Sequence, residues 1–155
     1  MQPIDPLNQV AEFHRTFKHP IVAQPAIPAE ERSRLRVSLL AEELKELEEA
    51  IEQKDIVAVA DALCDLQYVL SGAVLEFGLA DKFKDLFDEV QRSNMSKTCK
   101  TEQEAAETVA HYQAKGVTCH YLKSGNHYLV YRTEDNKTLK SIAYSEADLK
   151  KIIQS

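Results

Sequence analysis

The chain has 155 residues, 44% of them hydrophobic and 28% charged, a size and balance that suit one globular domain with a small addition. Its formal net charge of -6 argues against a nucleic-acid polymer or an anionic membrane as the main partner. Cys64, Cys99 and Cys119 are odd in number and form no CxxC pair, which excludes a zinc ribbon or a disulfide framework and suits reduced thiols of a cytoplasmic protein.

The first residues, "MQPIDPLNQVAEF", carry neither a basic n-region nor an apolar h-region, so no secretory signal is expected. No run of about 18 uncharged apolar residues occurs, so no membrane span is expected either. Asp5 and Pro6 are suited to the N-cap and first position of a helix, in which Val10, Phe13 and Phe17 share a face. Pro20, Pro25 and Pro28 then forbid a continuous helix and predict an extended connection. A second helix is predicted from Glu30 to Lys54, a third after a break at Lys54–Asp55 up to Gly78, and a fourth over "LADKFKDLFDEVQRSN". Four helices with short links favour a bundle. Beyond residue 98 the pattern predicts one more helix closed by Gly116. It then gives strands in "VTCHYLK", "HYLVYRT" and "KTLKSIAY", and a last helix capped by Ser145. The expected organisation is a helical domain over 1–98 and a small α+β appendage over 99–155.

The third helix poses the main question. Asp61, Asp65, Gly72 and Glu76 fall within an arc of roughly 60° at about 100° per residue, while the rest of the barrel is nearly all apolar. Such a helix is expected inside a protein, where carboxylates are costly without a positive partner. On the second helix Leu39 and Ala50 widen the apolar arc of Leu40, Leu44, Leu47 and Ile51; Glu43 falls inside the widened arc, and Glu46 lies at its edge. With the two helices antiparallel, Glu43 and Glu46 face Asp61 and Asp65. Four carboxylates raise one another's pKa, and a hard divalent cation relieves that strain. Ligands that are all oxygen suit Mg²⁺ or Mn²⁺ rather than zinc. The competing explanation is a buried Asp–Arg pair involving Arg32, Arg34 or Arg36. Glu76, more than two turns from the aspartates, reads as a surface or capping residue. Arg92, Asn94 and Lys97 in "QRSNMSK" are the parts needed to hold a polyphosphate, although cations at a helix C-terminus also simply complement its dipole.

The segments "FHRTFKHP", "LLAEELKELEEAI", "VADALCDLQYVLSGAVLEFG" and "DEVQRSNMSK", in that order over residues 8 to 97, resemble the all-α nucleoside triphosphate pyrophosphohydrolase superfamily. The resemblance is to its phosphoribosyl-ATP pyrophosphohydrolase-like, MazG-related branch. It implies an all-α bundle and Mg²⁺-dependent hydrolysis between the α- and β-phosphates of a nucleoside triphosphate or related nucleotide. It also implies assembly as a homodimer or homotetramer. Glu43 and Glu46 match its first acidic motif and Asp65 the aspartate of its second. Ala62 stands where that motif has glutamate, and Asp61 on the same face is expected to take its place. Asn94 and Lys97 match the phosphate-binding end. Glu46 is assigned as catalytic base as well as metal ligand, and His14 as a substrate contact before the proline-rich connection. The alternatives are the phosphoribosyl-ATP pyrophosphohydrolase step of histidine biosynthesis and a non-catalytic helical interaction module.

Overall fold

Asp5 accepts a hydrogen bond from the Asn8 amide and starts α1, Pro6–Phe17, as its side-chain chemistry predicts. The computed structural model describes residues 2–155. Helix α2, Glu30–Gln53, ends where Lys54 turns left-handed. The Asp55 carboxylate then accepts from the Val57 and Ala58 amides and opens α3, Ile56–Glu76. One 3₁₀ turn, Ala80–Lys82, leads into α4, Phe83–Met95. The fold is mainly α with a small two-stranded addition, as expected from the sequence.

The chain divides into two compact units, one ending at Lys84 and the other running Asp85–Ser155. In the first, α3 packs against both α1 and α2. Val10, Ala11 and Leu75 form its small apolar core. The proline-rich connection is stitched to the end of α3, with Val22 N donating to Leu75 O (3.0 Å) and Ala26 N to Phe77 O (3.1 Å). Gly78 makes this possible: its φ is +67°, and a Cβ there would overlap the Gln24 carbonyl. Gly78→Ala is therefore expected to lower stability by about 2 kcal/mol or more, combining left-handed strain with a displaced strap. Thermal melting checks this, and an unchanged midpoint would remove the connection from the structural role given to it here.

Helix α3 is not enclosed as its composition suggested. Ile56 and Val57 are each 76% exposed, and Leu63 and Leu70 also reach solvent. By length and composition α3 is apolar enough to cross a membrane, contrary to the expectation of no such segment. Its polar stripe engages the arginines of α2, however, which is the behaviour of a bundle helix.

The second unit contains α5, Glu102–Gln113, capped by Thr101, and a hairpin of β1, Cys119–Ser124, and β2, His127–Arg132. Gly125 turns the hairpin with φ +58°. Cys99, Ala105, Cys119, Val130 and Leu139 are its buried core. All three cysteines are free thiols. The third strand expected in "KTLKSIAY" reduces to one bridge, Tyr131 to Thr138. The following segment is held by the end of α4 instead, through Ser141 N to Lys97 O and Tyr144 OH with Ser93 Oγ. Ser145 likewise does not cap a helix. Its N–H and C=O bond to Ser96 Oγ, and Asp148 caps α6, Leu149–Gln154. These contacts tie α4 to the tail, so the compact units divide at 84/85, within the first turn of α4, where 98/99 was expected.

Candidate active site

Helices α2 and α3 meet along two stripes of polar residues. On α2, Arg32, Arg36, Glu43 and Glu46 recur at helical spacing. On α3 the facing stripe is Asp61, Asp65, Gly72 and Glu76. The pairing is antiparallel, so the seam has an arginine end and a carboxylate end.

At the arginine end Glu76 is 1% exposed, and both Arg32 and Arg36 bond to its carboxylate. Arg32 Nε adds a second contact to Oε2 at 3.2 Å. Glu76 sits in the last turn of α3, where backbone carbonyls already gather negative charge, so a carboxylate needs strong compensation there. Burial pushes its pKa up, but the bonds from Arg36 and Arg32 outweigh burial and hold it below the usual carboxylate range. This corrects the expectation of a surface or capping role. The positive partners sought for the aspartates belong to Glu76, and Arg34 pairs with Glu30 one turn away. No arginine of this segment is left for Asp61 or Asp65.

His14 closes the same end. It is 2% exposed, its Nδ1 lies 2.8 Å from Pro20 O, and its Nε2 lies 3.4 Å from Arg36 Nη2. The N–H therefore sits on Nδ1, and Nε2 accepts from the guanidinium. Burial lowers its pKa, the Pro20 carbonyl opposes that, and the Arg36 charge reinforces it, so His14 is neutral at pH 7. Gly72 lies beneath, and a Cβ at this position would come 2.6 Å from Arg36 Nη1 and 3.1 Å from His14 Nε2.

At the other end Glu43 is half-buried, while Glu46, Asp61 and Asp65 are exposed. The carboxylates expected inside the protein form an open acidic face instead. It is electrostatically coupled all the same. Glu43 has its pKa raised first by desolvation, then by the charges of Glu46, Asp65, Glu42 and Asp61. Among the described residues no three histidine, cysteine, aspartate or glutamate side chains are gathered closely enough to hold a metal ion as they stand. The donor set still suits a hard cation. It is all oxygen, it repels itself, and solvent-exposed carboxylates can swing to meet an ion that keeps several waters.

In the second unit, Arg92 donates to Glu89 at 2.7 and 2.8 Å and to Glu146 O at 2.9 Å. The Arg92 bond is the largest cause holding Glu89 at a pKa of about 2. Arg92 is thus committed to a structural pair. Lys97 Nζ donates to Asn94 Oδ1 at 2.6 Å, an exposed amide and a half-exposed ammonium that reach each other three residues apart.

Residues 10–94 match the phosphoribosyl-ATP pyrophosphohydrolase family. The chain belongs to that family. The matched phosphoribosyl-ATP pyrophosphohydrolase region contains all four seam carboxylates, Glu76 with both its arginines, His14 and Asn94; Lys97 and the hairpin lie beyond it. The family is one of pyrophosphohydrolases, which makes hydrolysis of a phosphoanhydride the activity class. The chain is also similar to the uncharacterized protein L479 of Acanthamoeba polyphaga mimivirus, with 26% identity covering 85% of this chain and 89% of that protein. The sequence reading missed the Glu76–Arg32–Arg36–His14 network. Its signal was present in the i, i+4 arginines facing a stripe that ends in glutamate.

Proposed function

We propose that the chain is a Mg²⁺-dependent nucleoside triphosphate pyrophosphohydrolase that cleaves between the α- and β-phosphates. The observation that supports this most is the proton affinity of Glu43, raised first by desolvation and then by the neighbouring charges of Glu46, Asp65, Glu42 and Asp61, all within the matched family region. Glu43, Glu46, Asp61 and Asp65 would hold the cation, with Mn²⁺ as the substitute. When bound, the cation neutralises phosphate oxygens and lowers the barrier to water attack. Glu46, exposed at the edge of the face, accepts the proton of the attacking water. The water oxygen bonds to the α-phosphorus as the bond to the bridging oxygen breaks, and pyrophosphate leaves with that oxygen.

The exposed apolar residues of α3 support a second proposal, assembly as a homodimer or homotetramer. Ile56, Val57, Leu63 and Leu70 would be covered in such an assembly.

The test is incubation with Mg²⁺ and a panel of canonical and modified nucleoside triphosphates, with phosphoribosyl-ATP included, reading pyrophosphate. Release from at least one triphosphate is expected. In parallel, Mg²⁺ or Mn²⁺ should raise the melting temperature by mass action. A folded protein that releases no pyrophosphate and shows no cation-dependent shift would favour the interaction-module reading. Release from phosphoribosyl-ATP alone would favour the histidine-pathway reading.

A further inference from the structure

The hairpin of the second unit is covered on one edge and open on the other. On the far side of β2, Tyr128 exchanges backbone bonds with Cys99 at 2.9 Å each way. Further along, Val130 O accepts from Leu139 N and Arg132 N donates to Lys137 O, both at 2.9 Å. In an antiparallel ladder the residues opposite these also turn their backbone outward, and the register makes them Lys123, Tyr121 and Cys119. Among the described residues nothing bonds to the backbone N–H or C=O of Tyr121 or Lys123. Such a row of unpaired groups is a template for one more strand.

The side chains along this edge decide which strand fits. Tyr121 and Lys123 share a face, and on it the Tyr121 hydroxyl donates to Glu102 Oε1 at 3.0 Å. Lys123 Nζ lies 5.8 Å from the Tyr128 ring centroid. The accessible stretch therefore carries a carboxylate beside Tyr121 and an ammonium two residues on. Between them, on the other face, Leu122 is 45% exposed. Cys119 is only 6% exposed and ends the stretch.

An antiparallel second copy of β1 matches this pattern in one register. With Leu122 opposite Leu122 of the second copy, Tyr121 of each chain lies opposite Lys123 of the other. Both of these pairs are of the hydrogen-bonded kind, so the outward groups of Tyr121 and Lys123 are satisfied on each chain. Each ammonium arrives at the ring of Tyr121 and the carboxylate of Glu102 in the other copy. The leucines form a non-hydrogen-bonded pair, where opposed side chains come closest. Sliding the strands two residues one way sets Lys123 against Lys123. Sliding them the other way sets Lys123 against buried Cys119.

We propose that the open edge of β1 is a self-association surface, on which a second copy of this chain adds its own β1 antiparallel and joins the hairpins into one sheet. This surface lies beyond the family-matched residues 10–94 and is distinct from the exposed apolar face of α3. It stands independently of the pyrophosphohydrolase reading.

Cross-linking and mass test the pairing. Leu122→Cys in a Cys64→Ser background leaves residue 122 as the exposed cysteine among the described residues, since Cys99 and Cys119 are buried. Opposed residues in such a pair have Cα atoms about 4.5 Å apart, within the roughly 4.4–6.8 Å that a disulfide spans. Mild oxidation of the full chain is expected to give a covalent dimer on a non-reducing gel. His120→Cys in the same background faces Ser124 of the second copy rather than itself, and should give several-fold less. Sedimentation equilibrium reads the mass. Lys123→Pro removes an N–H that the hairpin's own ladder does not use, and should halve the mass of the wild-type assembly whether or not the α3 faces also associate. Lys123→Glu, which brings like charge to Glu102, should do the same, and adding Glu102→Lys should restore the assembly. Absence of cross-linking through residue 122 in a folded protein, equal cross-linking through residue 120, or an unchanged mass in Lys123→Glu overturns the pairing. Binding of an extended peptide from another protein by a chain that stays unpaired here would overturn it too, and give the edge to that partner.

Discussion

Glu76→Ala is expected to destabilise the first unit by about 3–5 kcal/mol, the effect of stranding a buried charge. The charge at issue is Arg36, whose side chain is 8% exposed, whereas Arg32 at 32% can recover water. Hydrogen exchange of the α2 and α3 amides under native conditions reads this unit directly. Glu76→Gln keeps the shape and one acceptor and should cost less. The linked pH effect has a definite sign. The Glu76 carboxyl titrates below its ordinary range in the folded protein, because the Arg36 and Arg32 bonds outweigh the opposing effect of burial. Its contribution is present above the unfolded carboxylate pKa and is lost as pH falls through the lower folded value. Wild type should therefore lose stability on acidification more steeply than Glu76→Gln. If Glu76→Ala exchanges as slowly as wild type, the network is not the keystone of the α2/α3 packing.

That network also marks where the sequence stopped being readable. Helix starts and ends follow from neighbours a few residues away. Asp5 before Pro6, Asp55 after Lys54, and Gly78 with its positive φ each declare a boundary locally. The fourfold acidic face was legible for the same reason, since helical spacing fixes which residues share a side and a short link fixes the antiparallel partner. Burial depth is a different kind of fact. The wheel put Asp61, Asp65 and Glu76 on one arc, but only the packing of α1 and the proline-rich connection over one end of α3 decides which carboxylate loses its water. That end buries Glu76 and leaves the aspartates open. Likewise, "KTLKSIAY" has strand-like composition, yet its Ser141 amide is claimed by the Lys97 carbonyl, and the Ser145 that follows it by Ser96, each more than forty residues earlier. Ser145 loses its expected role as a cap for the same reason. Contacts of that range carry no local signature.

Glu43→Gln and Asp65→Asn are expected to lower pyrophosphate release at least about a hundredfold, since each removes a charged oxygen from the proposed cation site. Both should also lose the Mg²⁺-dependent rise in melting temperature. The more discriminating readout is the metal-free protein. Desolvation and then the charges of Glu46, Asp65, Glu42 and Asp61 raise the Glu43 pKa. A carboxyl raised on folding favours the fold while protonated. Its stabilising effect is present below the unfolded pKa and disappears as pH rises through the folded one. At neutral pH without metal, Glu43 therefore works against the fold, and Glu43→Gln should melt higher than wild type, the gap closing on acidification. Adding Mg²⁺ should reverse the order, because only wild type gains the cation. A purely solvated acidic face predicts no such reversal, and a lower metal-free melting point for Glu43→Gln would contradict the repulsion directly. Glu46 separates ligand from base: as the proton acceptor, Glu46→Gln loses kcat while retaining most of the Mg²⁺ shift. As a principal ligand, it loses both together.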